Sequence, residues 1–173
     1  ILNAMPDFLK NYRREILPLS LILILVLARL IPHPPNFTPI VSVAILSGYF
    51  FKNVWMSIFT LFISMLLADI FIGFYNNMIF VYLSLILISL VFYKYGKKIN
   101  LKNLFIYGFI GSLLFFIISN FGVWLLGDLY EKNFQGLVSC YILAIPFFTN
   151  TFFSTLIFLY PSIFLYKSLY NRA

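Results

Sequence analysis

The stretch Pro39-Ile-Val-Ser-Val-Ala-Ile-Leu-Ser-Gly-Tyr-Phe-Phe51 decides how this chain is folded. It is apolar but short: as a helix it spans only about 20 Å, whereas a membrane crossing takes about 20 apolar residues. Counted as a span, it brings the total to six; left out, the total is five. The basic residues choose between these. With six spans and a cytoplasmic N-terminus, Lys10, Arg13, Arg14, Lys52, Lys94, Lys97, Lys98, Lys102, Lys167 and Arg172 all fall inside. Only Arg29 and Lys132 fall outside, next to the acidic Asp128 and Glu131. Cytoplasmic loops carry the Lys/Arg excess. Five spans would turn the four-lysine segment outward, so six is expected.

Working outward, the other apolar runs are Ile16–Ile31, Val54–Phe74, Met78–Phe92, Leu104–Leu126 and Cys140–Tyr166. Hydrophobic residues make up 62% of the chain and charged ones 10%, against roughly 45–50% and 25% in soluble domains. A dissolved protein could not cover that much apolar surface. Open sheet leaves backbone groups unpaired in lipid, and the runs lack the alternation of barrel strands. The expected fold is therefore all-α, an integral membrane bundle of about six transmembrane helices with both termini cytoplasmic. Residues 1–15 read as a cytoplasmic segment, 16–166 as the transmembrane domain and 167–173 as a cytoplasmic tail. Such a chain belongs in the plasma (inner) membrane of a bacterium. Pro146 and Pro161 predict a kinked or broken last helix. Met5 is a candidate initiator, which would make Ile1–Ala4 foreign or processed residues. No small-x-small site follows the first run, so that run reads as a retained helix rather than a signal peptide.

The net charge of +7 belongs to lysine-bearing loops facing anionic headgroups, and no nucleic-acid-binding motif accompanies it. Nucleic acid is not an expected partner. The single Cys140 excludes an internal disulfide. With His33 as the one histidine, no metal site of several His and Cys ligands can form. No G-x-S-x-G elbow, H-E-x-x-H or phosphate loop appears, so the chain does not read as an enzyme and implies no cofactor.

Topology gives each polar residue a depth, and the unusual ones gather toward the outer face. Arg29 and His33 close the first helix, and Asn36 follows in the loop. Asp69 nears the outer end of the third, and Tyr75 lies in the outer turn. Tyr82 is one turn into the fourth helix. Asn120 and Trp124 approach the end of the fifth, and Cys140 and Tyr141 open the sixth. Asp69 is the only acid within a span, where an unpaired carboxylate costs about 2.5–3.5 kcal/mol or more. It should face a wet cavity or form an ion pair with Arg29. Asn120 can bind a ligand or a neighbouring helix. Cys140 can be a soft ligand or a packing residue, and the aromatics can stack on a ring or form an interfacial belt. These ten residues are the expected ligand-binding set, lining one outer cavity.

Four blocks carry a resemblance: Arg29-Leu-Ile-Pro-His-Pro-Pro-Asn-Phe-Thr-Pro-Ile40, Ala68-Asp-Ile-Phe-Ile-Gly-Phe74, Ser119-Asn-Phe-Gly-Val-Trp124, and Gly136-Leu-Val-Ser-Cys-Tyr141 followed by Ile145-Pro-Phe-Phe148. Together they resemble a family of small bacterial membrane proteins similar to the substrate-binding (S) components of energy-coupling-factor vitamin transporters, including the solitary cobalamin-binding ones. The resemblance implies a six-helix protein that holds a vitamin near the outer face and topples to release it inside. A corrinoid is one ligand it implies, with His33 or Cys140 as the candidate soft ligand, since Asn76 and Asn77 occupy the outer turn. The first run offers only Ser20 and Ala28 toward a small-x-x-x-small docking motif, so partners range from a transporter energising module to other membrane subunits or none. The competing expectation is a structural or assembly subunit of a larger membrane complex.

On a Cys140→Ser background, a cysteine at Lys132 should react with an impermeant maleimide in intact cells, and one at Lys98 should not. Labelling at Lys98 from outside would overturn the six-span orientation.

Overall fold

The computed structural model describes residues 7–96, 100 and 103–170. Among these the regular structure is all helix: α1 Asp7–Ala28, α2 Ile40–Phe50, α3 Val54–Ile72, α4 Met78–Tyr95, α5 Leu104–Leu126, α6 Phe134–Leu143 and α7 Ile145–Tyr170. Met5, Lys97, Lys98, Lys102 and Arg172, which carry part of the terminus and orientation arguments, lie outside the described residues. Four helices, α3, α4, α5 and most of α7, are long and apolar enough to cross a membrane. That is fewer than the six full-length spans expected.

The first two runs account for the shortfall, and the last run, though still long enough, is divided. In α1 the helix starts at Asp7, nine residues before the predicted run, and among the described residues its apolar stretch is Pro18–Ala28. α2 is short because it is a core helix: every residue from Ile40 to Gly48 is buried. A helix apolar all round is one with protein on all sides, and α2 packs on α1, α3, α4, α5 and α7. The last run divides at Ala144, whose N–H bonds back to Cys140 and Tyr141 carbonyls. Pro146 has no N–H and its ring clashes with the carbonyl four residues back, so α6 ends and α7 starts as a separate helix. The break falls where the prolines predicted one, while Pro161 is carried inside α7 without interruption. α6 also begins at Phe134, earlier than the predicted Cys140, because Asn133 caps it by accepting Gly136 N–H at 2.8 Å.

The outside is as apolar as the inside. Trp55 is 75% and Phe71 76% exposed, and Phe59, Ile79, Phe105 and Phe153 also face outward. Exposed apolar surface of this extent marks a protein built to meet lipid or other protein. The interior is distinguished by small and hydroxyl-bearing residues instead: Ser57 and Ser89 share a 2.7 Å hydrogen bond between α3 and α4, and Ser42 donates to the Thr155 carbonyl at 2.9 Å between α2 and α7. Helices in lipid associate by close approach and such bonds.

At Gly48 the backbones of two helices meet. A Cβ there would lie 2.3 Å from the Ser89 carbonyl oxygen and 2.8 Å from Tyr93 N, both backbone atoms of α4. At Gly111 the obstruction is the flexible end of Ile45, at 2.9 Å. Gly48→Ala should therefore cost about 1–3 kcal/mol, and more than Gly111→Ala, in unfolding by SDS titration from mixed micelles. Equal costs would mean that the α2–α4 contact is loose.

Candidate functional site

α1 ends by tightening: Arg29, Leu30 and Ile31 each donate to the carbonyl three residues back, at 3.1, 3.0 and 3.3 Å. This turn swings the Arg29 side chain across to α3. Its Nη1 lies 2.7 Å from Asp69 Oδ1, with Arg29 9% and Asp69 0% exposed. The contact is ionic rather than well directed, since the same nitrogen aims at Met65 Sδ at 3.8 Å and no aligned donor reaches Oδ1. Oδ2 accepts the Tyr82 hydroxyl at 2.7 Å, joining α4. The Asp69 carbonyl accepts Gly73 N–H at 2.8 Å, and Gly73 ends α3 at φ +103°, a conformation open to glycine. Tyr75 follows in the turn. Burial raises its phenol pKa above the ordinary value, Asp69 adds to the rise, and Arg29 opposes it by charge and hydrogen bond. Four of the ten expected residues, from two helices and two connecting turns, thus form one cluster.

The loop after α1 is proline-rich and exposed, and it carries two more. His33 Nδ1 lies 2.9 Å from the Pro34 carbonyl oxygen. Asn36 adopts φ 59°, the left-handed region that asparagine tolerates better than most residues. The loop is clipped to α7 by Asn150 to the Pro35 carbonyl at 3.0 Å, Thr151 to Asn36 at 3.5 Å and Ser154 to Thr38 at 3.1 Å. Sequence reasoning missed these three clips. Their signal was the polar run Thr149-Asn-Thr151 and Ser154-Thr155 in an otherwise Phe-rich helix.

The remaining four lie between α5 and α6. Cys140 is buried and its thiol approaches the Asn120 carbonyl at 3.5 Å. Asn120 turns its amide onto Phe116 of its own helix at 2.8 Å. The Tyr141 hydroxyl donates to Ile117 at 2.6 Å, and Trp124 Nε1 to Glu131 at 2.9 Å. Their polar groups are used to fasten α6 and the 127–133 loop to α5. α3 packs on α1, α2 and α4, and does not touch α6. The ten residues thus fall into three groups, not one lining, because α4 and α5 separate Asp69 from Cys140. Among the described residues no cluster of three or more His, Cys, Asp or Glu could hold a metal.

A model of the family of unknown function DUF6580 matches residues 9–172. The chain belongs to that family. No curated protein and no solved structure matches it. The blocks that the family match spans include the whole Arg29–Ile40 loop and Asp69, so the ion pair and the clipped loop are features of a family member and not of an appended segment.

Asp69→Asn leaves Arg29 buried without its counter-charge, which should cost about 3–5 kcal/mol in SDS-titrated unfolding. Replacing both, Arg29→Met with Asp69→Leu, should recover most of that loss. A tolerated single substitution would mean that the pair is hydrated.

Proposed function

We propose that this protein is a multi-pass component of the plasma membrane, N-in and C-in, that binds a vitamin-like small molecule for uptake. In this reading α6 and α7 make the sixth crossing together, and α2 crosses with the help of its flanks. The observation that carries the proposal is the height of α2. Val41 lies against Gly111, and Ser42 and Ser112 both bond to Thr155, so α2 begins level with the middle of α5. From Ser112 to Leu126 α5 runs on for roughly 20 Å. Above the start of α2 the chain is the Arg29–Pro39 loop, not helix, and it is exposed from Leu30 to Asn36.

A loop in place of a helix is what a ligand site near the outer face needs. Non-helical backbone at membrane depth is tolerated where it is buried in protein or lines a cavity. The loop is held by three side-chain clips and by the Arg29–Asp69 pair, so it can move without unfolding a helix. Beneath it the Tyr75 and Tyr82 rings supply apolar area with polar tips, and Arg29 and Asp69 supply charge, the mixture that small-molecule sites use. Tyr75 would add about 0.5–1.5 kcal/mol by stacking on a ring. The resemblance of the four sequence blocks to vitamin-binding S components supports the same reading. A second reading, a subunit of a larger membrane complex, rests on the aromatic face of α3, where Trp55, Phe59 and Phe62 are exposed and another subunit's helices would be accommodated.

Mass spectrometry of the detergent-purified protein should find a copurifying small molecule of vitamin size. Tyr75→Phe removes a hydroxyl without unpairing a charge, and should weaken retention of that molecule several-fold while Asp128→Asn leaves it unchanged. Stoichiometric copurifying polypeptides and no small molecule would decide for the subunit reading.

A further inference from the structure

A cavity of about 860 Å³ opens at the opposite end of the bundle, where α2 and α4 finish. We infer that it is a binding site for one anionic phospholipid of the leaflet that faces the lysine-rich loops. Its walls are Tyr49, Phe50, Leu90 and Phe92, and Lys52 and Lys94 stand at its edge. The geometry follows from Gly48. Having met α4 backbone to backbone there, α2 stops at Phe50 and the chain turns extended at Phe51, so that the ends of the two helices line the cavity together. The Tyr93 hydroxyl donates to the Lys52 carbonyl at 2.7 Å, which pins the α2–α3 connection beside the opening. Tyr166 of α7 packs on Phe50 with ring centroids 4.5 Å apart, so the aromatic wall is braced from behind.

Charge and shape choose the occupant. The C-termini of α2 and α4 each present about half a negative charge, and the two lysines outweigh them by about one positive charge. In the sequence Lys97, Lys98 and Lys102 follow shortly after. An anion is therefore favoured over a cation. The volume is far larger than a phosphate needs, and most of the wall is aromatic or aliphatic, which suits a glycerol backbone and the start of an acyl chain beneath a charged headgroup. Lysine clusters beside membrane spans attract anionic headgroups in this way. The inference does not depend on the proposed ligand site, which lies at the other end of the molecule.

Native mass spectrometry of the full chain released from detergent tests it. With dioleoylphosphatidylglycerol added, one lipid should stay bound under activation that strips dioleoylphosphatidylcholine. Lys52→Gln with Lys94→Gln should lower the affinity for phosphatidylglycerol roughly thirty-fold, at about a factor of five per lysine. Lys132→Gln, at the other end, should leave it unchanged and serves as the control. Equal retention of the two lipids, undiminished binding by the double variant, or displacement of the lipid by excess inorganic phosphate would each overturn the inference.

Discussion

The backbone contact between Gly48 and α4 holds the rest of the molecule in register. In water a helix finds its place by burying its apolar stripe, but here the outward faces are as apolar as the inward ones, so burial of apolar area does not discriminate. What discriminates is how near two backbones can come. Gly48 lets α2 lie directly on Ser89 and Tyr93, and the hydroxyls of Ser42, Ser57, Ser89, Ser112 and Thr155 tie the surrounding helices together. Small residues and shared hydrogen bonds are the means of helix association that lipid leaves available. With α2 fixed at the centre, α1, α3, α4, α5 and α7 have a common surface to pack on.

The same apolar surroundings explain why the Arg29–Asp69 pair is so completely enclosed. A lone carboxylate among these helices would be expensive, so its position is tied to a cation, and the cation comes from the turn that ends α1. Tyr82 and Gly73 then use the remaining oxygen and the backbone carbonyl. A pair of this kind is weak as a source of stability but strong as a constraint, because separating the partners costs more than forming the pair returns. It locates the end of α1 against α3, and hence the point at which the Arg29–Pro39 loop starts.

Composition made the membrane-type, all-helical fold legible, and Asp69 was legible as a paired acid because a single carboxylate in a long apolar run leaves few alternatives. Arg29 was its only cation at similar depth. The length of α2 was visible too, but not its meaning: a short apolar run reads alike whether it tilts in lipid or is sheathed in protein, and Gly48 reveals the difference only once Ser89 is known to face it. The division at Ala144 was signalled by Pro146. The grouping of Asn120, Trp124, Cys140 and Tyr141 was not, since depth along a helix says nothing about the direction in which a side chain points. Polar residues at one level therefore read as one cavity, when α4 and α5 in fact stand between Asp69 and Cys140.

The half-height helix and the clipped loop have a mechanical consequence. A full-length second helix would close the bundle over its whole depth and would have to slide or tilt to admit anything. Among the described residues, three side-chain hydrogen bonds, from Asn150, Thr151 and Ser154, tie the loop to α7, each worth about 0.5–1.5 kcal/mol net. The prolines at positions 32, 34, 35 and 39 limit the backbone freedom it gains on release, so lifting neither melts the loop nor disturbs Ile40–Gly48 beneath it. Arg29 is the link that does not come cheaply, because withdrawing it exposes Asp69. The loop is thus tied by hydroxyl and amide groups on the α7 side, by a buried charge on the α3 side, and by its own continuation through buried Thr38 and Pro39 into α2.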